Sequence, residues 1–253
     1  MIPQILIWGG LPSYYAIILL QVSIKENLNK VRGRIEKAAA AAGRDPRQIK
    51  LIAVTKTVPV ELIEEAVRAG VTDFGENRVQ EAAPKIQALR DKYPHLTWHM
   101  VGHLQRNKVR TALDLFNVIQ SVDSERLARE IQARAEAQDR RPKVLIEVNT
   151  SGEASKYGVA AAEAVGLLKI ISGFANIAVE GLMTVAPLAD DPQTAGPCFR
   201  ELRSLSQEIR ELGLPNVEMK YLSMGMSDDL EAAVEEGSNM VRIGRAIFGK
   251  RRG

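Results

Sequence analysis

Residues 50–76 read KLIAVTKTVPVELIEEAVRAGVTDFGE. The apolar run Leu51–Val54 has the length of a buried strand, and Val60–Ala69 carries apolar residues at helical spacing. A second, shorter run, Asp73–Gly75, follows. Strand, helix and strand in this order make one right-handed crossover unit of a parallel sheet. The rhythm then repeats. Runs at Trp98–Val101, Val118–Ser121, Val144–Val148, Ala178–Val185, Met219–Ser223 and Met240–Ile243 bring the strands to eight. Amphipathic segments at Arg78–Asp91, Asn107–Leu113, Glu125–Gln138, Ala160–Ile171, Pro197–Leu212 and Asp229–Glu236 separate them. Eight strand–helix repeats predict an α/β protein built as one closed (β/α)8 TIM barrel. An open doubly wound sheet is the alternative. It places a glycine-rich turn after its first strand, where this chain has Thr55-Lys56-Thr57.

Upstream of that unit, Ile24, Leu28, Val31, Ile35 and Ala38 recur at three- and four-residue spacing, predicting a helix that stops at Gly43 before the Asp45-Pro46 turn. Further upstream the character changes. Residues 1–24 carry no charge, and Lys25 is the first. A secretory signal would open on a basic region and close on a small-residue cleavage site, and neither is present. Pro3, Gly9, Gly10, Pro12 and Ser13 interrupt the apolar stretch, which leaves it short of the roughly 20 residues a membrane helix needs. Residues 1–22 therefore read as an extension outside the domain. The remaining 231 of the 253 residues, 23–253, read as the barrel. The expectation is a cytoplasmic protein with no membrane contact.

Composition narrows the function classes. One cysteine excludes an intramolecular disulfide framework and a multi-cysteine zinc site, and three histidines leave little for a histidine metal centre. The 34 basic and 31 acidic residues give a net charge of +3 and interleave along the chain, which does not suit nucleic-acid binding. The short basic tail Lys250-Arg251-Arg252 reads as a solvated end.

Barrels of this class carry their sites at the carboxyl ends of the strands. Those ends hold Lys56, Glu76-Asn77, Gly102-His103, Ser121-Asp123, Asn149, Met183-Thr184, Ser223-Met224-Gly225 and Arg242-Ile243-Gly244. Lys56 follows the first strand. Desolvation at a barrel mouth favours its neutral amine, the nucleophile that forms a Schiff base with a carbonyl; the structural alternative is a lysine at a solvated strand end. Ser223 to Asp229, Gly237-Ser238-Asn239 and Arg242-Ile243-Gly244 flank the last two strands, where barrels often hold a phosphate. Small residues admit backbone N–H groups to phosphate oxygens, and Arg242 offers a planar fork of donors. Together these features describe a site for a phosphorylated aldehyde. Asn77 reads either as a helix cap or as a pocket residue. His103, after Gly102, is a site candidate, whereas His99 reads as a satisfied structural histidine. Cys198, which no histidine or carboxylate is placed to activate, reads as a packed thiol. Asp190-Asp191 read as a solvated loop.

Five segments carry a resemblance: Ala53-Val54-Thr55-Lys56-Thr57, residues 74–81 (FGENRVQE), residues 98–108 (WHMVGHLQRNK), residues 222–229 (LSMGMSDD) and Val241-Arg242-Ile243-Gly244. In this order they resemble the YggS/PROSC family of pyridoxal phosphate homeostasis proteins. The resemblance covers roughly residues 23–249. It implies a fold-type III barrel similar to that of alanine racemase but without the C-terminal β-domain. It implies pyridoxal 5′-phosphate (PLP) held as a Schiff base on Lys56. It also places Ser223, Arg242 and Gly244 at the cofactor, mostly at its phosphate, with Asn77 and His103 lining the same pocket. Residues 152–158 match a family loop in which Lys156 handles the cofactor secondarily. The chain departs from the family pattern in residues 1–22, in Arg78 where tyrosine is common, and in Asn239 where threonine is common.

PLP supplies its own chemistry, while an enzyme must add substrate placement and acid–base groups. Related racemases and decarboxylases use a second β-domain, for which the barrel leaves no residues, and no obvious second acid–base group faces Lys56. The resemblance therefore implies a PLP-binding protein without turnover of its own. It would hold the cofactor for apo PLP-dependent enzymes, most simply as a monomer, and so affect amino-acid and keto-acid balance. The alternatives are a racemase-like PLP enzyme, a Schiff-base aldolase acting on a sugar phosphate, and a regulatory protein that senses PLP.

Overall fold

The crossover unit of residues 50–76 folds as β1 (Lys50–Val54), α2 (Val60–Arg68) and β2 (Asp73–Glu76) in a computed structural model that describes residues 23–153, 155–187 and 192–249. Before it lies α1 (Ile24–Ala41), which buries Ile24, Leu28, Val31, Ile35, Ala38 and Ala39. Then come α3 (Val79–Arg90), β3 (Thr97–Met100), α4 (Val109–Leu115), β4 (Val118–Val122), α5 (Glu125–Ala137) and β5 (Lys143–Asn149). The chain continues through β6 (Val159–Ala160), α6 (Ala161–Ile171), β7 (Ala178–Met183), α7 (Gly196–Glu211), β8 (Val217–Ser223), α8 (Leu230–Glu235), β9 (Met240–Ile243) and α9 (Arg245–Phe248).

The strands run β4-β3-β2-β1-β9-β8-β7-β5, and a pairing of β4 with β5 closes the ring. Every pairing is parallel, so the sheet is the closed eight-stranded barrel expected from the rhythm, not the open alternative. The two-residue β6 adds to β5 outside the ring. It is too short to leave a periodic signal in the sequence.

Side-chain alternation sorts each strand between two cores. Val144, Ile146 and Val148 of β5 belong to the large layer between sheet and helices, and Leu145 to a small cluster with Ile52, Met183 and Met240 inside the ring. Glu147 shares Leu145's face. The same alternation sends Val241 and Ile243 outward and Met240 and Arg242 inward. The interior is therefore apolar in part and polar in part. Where β7 meets β8, Gly181 has φ +152°, and a Cβ there would lie 2.0 Å from Tyr221 O, so only glycine fits that crossing.

Cys198 is buried in the first turn of α7, as a packed thiol would be. Among the described residues no helix is long and apolar enough to cross a membrane, and no group of three or more His, Cys, Asp or Glu is placed to hold a metal ion. Residues 1–22, the Asp190-Asp191 loop and the basic tail lie outside the described residues.

Candidate functional site

The register of β1 with β9 sets Ala53 against Ile243, so the segments carrying Lys56 and Gly244 leave the barrel side by side. Lys56 is half-buried, two residues beyond the end of β1. Gly244 packs closely on the end of β1: an added Cβ would sit 3.3 Å from Val54 O. Buried groups brace this strand end. Thr55 Oγ1 donates to Glu76 Oε1 at 2.7 Å, and Lys85 Nζ, reaching in from α3, donates to Glu76 Oε1 at 2.8 Å and to Thr55 O at 2.7 Å. Burial raises the Glu76 carboxyl above the usual range, against the lowering effect of Lys85 and Thr55. Glu76 is thus a brace for the lysine-bearing turn, and Asn77 just after it is half-buried at the end of β2.

Arg242 and Ser223 meet inside the barrel. Arg242 is 5% exposed; its Nη1 donates to Ser223 Oγ at 2.7 Å and its Nη2 to Thr184 O at 2.7 Å. Burial lowers its pKa to about 10, opposed by the carboxylates of Glu147 and Asp229, so it remains a cation at neutral pH. Glu147 is 7% exposed, and its Oε2 has no hydrogen-bond partner. Burial and the nearby Asp123 carboxylate push Glu147 up to about 7, with Arg242 pulling the other way. Ser121 Oγ, on the neighbouring strand β4, is likewise buried without a partner.

The rim is built separately. His103 Nδ1 lies 3.2 Å from Asp123 Oδ2, and its ring stacks on exposed Tyr157 with centroids 4.0 Å apart. Asn149 organises the loop that carries Tyr157: its Oδ1 accepts from Ser151 N, Ser151 Oγ and Gly152 N, and its Nδ2 donates to Glu153 O. Lys156 of that loop has a buried Nζ, 3.4 Å from Glu153 Oε1. Next to Ser223, Gly225 has φ +96° and meets α8 so closely that a Cβ would lie 2.5 Å from Ala233 Cβ. The turn after it is closed by Asp229, which accepts from Met226 N.

One expectation changes with the geometry. Asn239 lies at the amino end of β9, not in a phosphate cup, and spends its amide on β8: Oδ1 accepts from Leu222 N and Nδ2 donates to Lys220 O. Arg78 is exposed and pairs with Glu81 at 3.6 Å. Glu147, within the run Val144–Val148, is a buried carboxyl that a reading of the strand ends does not single out. Its signal was present: a lone carboxylate in an apolar strand, in phase with the inward-facing residues. Gln120, a polar residue within the run Val118–Ser121, is equally out of reach of a strand-end reading. His99 is buried and bonded on both ring nitrogens, as a structural histidine should be.

A cavity of about 660 Å³ opens at the opposite, amino-terminal face, lined in part by Arg32, Arg47, Lys50, Thr72, Asp73 and Tyr221. It lies away from the strand ends that carry Lys56 and Gly244. An amine, a buried guanidinium, a closely packed glycine and buried polar atoms with unused capacity share the carboxyl-end face. They fit a phosphorylated aldehyde with a polar ring.

Glu147 makes a pH prediction. Its folded pKa is raised, so its ionisation opposes folding as pH climbs from the unfolded value near 4.3 through about 7. The full rise corresponds to about 4 kcal/mol of stability lost over that window. Glu147→Gln removes this loss. Urea unfolding of the cofactor-free protein should show the variant about 1–3 kcal/mol more stable than wild type near pH 8 and little different near pH 5. Equal differences at both pH values would contradict the buried, unpaired carboxyl.

Residues 24–252 match the family model described as alanine racemase, N-terminal domain. The chain is 44% identical over 228 residues to the pyridoxal phosphate homeostasis protein of Aquifex aeolicus, covering 90% of this chain and 98% of that one. It is 41% identical over 229 residues to the protein of the same name from Pseudomonas aeruginosa, covering 90% and 96%. Among solved structures, PipY of Synechococcus elongatus with PLP bound superposes with a TM-score of 0.78 at 36% identity, covering 89% of this chain and all of that one. An alanine racemase of Clostridium difficile shares the fold at 17% identity and TM-score 0.73, with 91% of this chain covering 57% of that structure.

Proposed function

We propose that this chain, which belongs to the pyridoxal phosphate homeostasis family with its alanine racemase-type N-terminal barrel, binds PLP through Lys56 and holds it for delivery to apo PLP-dependent enzymes. The observation that carries this reading is the meeting of the Lys56 turn and Gly244 at one end of the barrel, with the buried Arg242 cation two residues before that glycine. When bound, PLP supplies an aldehyde that condenses with amines and a ring that withdraws electrons.

The chain's own residues do the rest. Lys56 provides the amine for attachment, on a turn fixed by Thr55, Glu76 and Lys85. Arg242 holds a positive charge in a site from which water is largely excluded, where it acts more strongly than in solvent. Gly244 lets the end of β9 approach the Lys56-bearing strand closely. Asn77 lines the pocket from β2, and the His103–Tyr157 stack covers its rim. We place the protein in the cytoplasm, acting as a monomer and without turnover of its own.

Glu147 favours one second reading, a racemase-like enzyme, because a carboxyl that titrates near neutrality can exchange protons at working pH. The test is a visible spectrum of the purified protein with mass analysis for PLP, followed by incubation with single L-amino acids. Bound PLP without chirality loss supports holding and delivery. Sustained racemisation would overturn it in favour of the enzyme. Arg242→Gln should raise the PLP dissociation constant by about 10- to 100-fold, the worth of one charged hydrogen bond (about 1.5–3 kcal/mol). Unchanged affinity would remove Arg242 from the site.

A further inference from the structure

Four hydrogen bonds link Arg242 to Asp73 through the barrel interior. Arg242 Nη1 lies 2.7 Å from Ser223 Oγ, Ser223 Oγ 2.6 Å from Gln120 Oε1, Gln120 Nε2 3.0 Å from His99 Nδ1, and His99 Nε2 3.0 Å from Asp73 Oδ1. His99, Gln120 and Ser223 are each 1% exposed or less. Lys50 Nζ and Thr72 Oγ1 also donate to Asp73, at 2.9 and 2.8 Å.

We propose that Asp73, His99 and Gln120 fix the direction of every hydrogen bond in this chain, so that Ser223 is held as an acceptor toward Arg242 and positions its guanidinium instead of donating to the cofactor. The proposal deepens the PLP-binding reading and rests on it for the role of Arg242.

The direction follows from donor arithmetic. Asp73 receives three donors. Its burial favours the neutral acid, but the bonds from His99, Lys50 and Thr72 outweigh this and hold it at about 2. A carboxylate has no hydrogen to give, so His99 Nε2 carries the proton. Burial lowers the His99 pKa, which keeps the ring neutral and leaves Nδ1 bare as an acceptor. Gln120 Nε2 must then donate to Nδ1, with its other hydrogen toward Met240 Sδ at 3.2 Å. That orientation turns Gln120 Oε1 to Ser223. An amide oxygen only accepts, so Ser223 gives its single hydrogen there. Its lone pairs face Arg242. The hydroxyl has no hydrogen left for a phosphate oxygen, and the guanidinium is pinned between Ser223 and Thr184 O.

Two experiments test this. Nitrogen-15 NMR of the cofactor-free protein should show His99 as the neutral tautomer protonated on Nε2; the Nδ1-protonated tautomer or a charged ring overturns the proposal, whether or not PLP binds. The second compares PLP binding to Gln120→Met, Ser223→Ala and Ser223→Thr. Both Gln120→Met and Ser223→Ala should weaken PLP by a similar factor, about 10-fold, and shift the spectrum of the bound form. Ser223→Thr, which keeps the hydroxyl, should restore both. If Ser223→Ala weakens PLP and Gln120→Met does not, Ser223 is a direct contact and the proposal fails. If wild type holds no PLP, the PLP-binding reading fails, while the tautomer result still decides the hydrogen-bond chain.

Discussion

Lys56→Ala protein should retain no PLP after borohydride reduction and should lack the visible absorption expected of the wild-type complex. Capacity should fall from about one covalently held PLP per chain to none, because the attachment needs a primary amine at this turn. The fold should not suffer. Lys56 lies outside β1, beyond the paired residues of that strand. The turn itself is held under strain. Thr57, a β-branched residue, has φ +62°, in the left-handed region it ordinarily avoids, and its Oγ1 donates to Lys56 O. Val58 N closes the turn by donating to Thr55 O at 2.9 Å. Strain at the residue after the reactive lysine suits a site whose geometry is imposed by its surroundings. Mass mapping of the reduced wild-type adduct should place the label on Lys56. Full retention of label by Lys56→Ala would refute the assignment.

Lys85→Met should cost about 3–5 kcal/mol of folding stability, the usual consequence of stripping the partner from a buried charge. Glu76 is fully buried, its Oε2 has no partner, and Lys85 is the cation at its Oε1. The loss should depend on pH with a definite sign. The Glu76 carboxyl is raised by burial even with Lys85 present. Without Lys85 its protonated form is favoured further, so the variant is least impaired near the unfolded carboxyl pKa and loses stability as pH rises. Adding Glu76→Gln removes the orphaned charge and should recover a large part of the deficit, which a double-mutant cycle in urea reads directly. Because Lys85 also donates to Thr55 O, the variant should hold PLP less tightly at temperatures where it remains folded. A small, pH-independent loss would show that the pair is not effectively buried.

Much of the fold was legible in the chain because parallel β/α repeats leave a local signal: apolar runs for strands, helical periodicity between them. The sequence located all eight barrel strands to within a few residues. It missed β6, which has only two residues. The position of the proposed attachment lysine was legible too, since the end of a strand is a local feature and Lys56 stands two residues past one.

The interior of the ring was not legible in the same way. Ser223 meets Gln120 across 103 positions of sequence, and Arg242 meets Thr184 across 58. Glu147 stands within the apolar run Val144–Val148 and Lys85 within a helix, and nothing along the chain names their partners. Alternation says that a residue takes one face or the other, but only the closed ring makes one face a narrow, nearly water-free interior. There a carboxyl loses its hydration and a hydroxyl's one hydrogen is committed; in the layer outside the ring, Lys85 becomes the counter-ion of Glu76. The sequence alone determined the repeat, the barrel and the lysine at its mouth, because each depends on neighbours along the chain. The tertiary structure alone decided which polar groups share the interior and in what charge state, because desolvation and hydrogen-bond direction depend on neighbours in space.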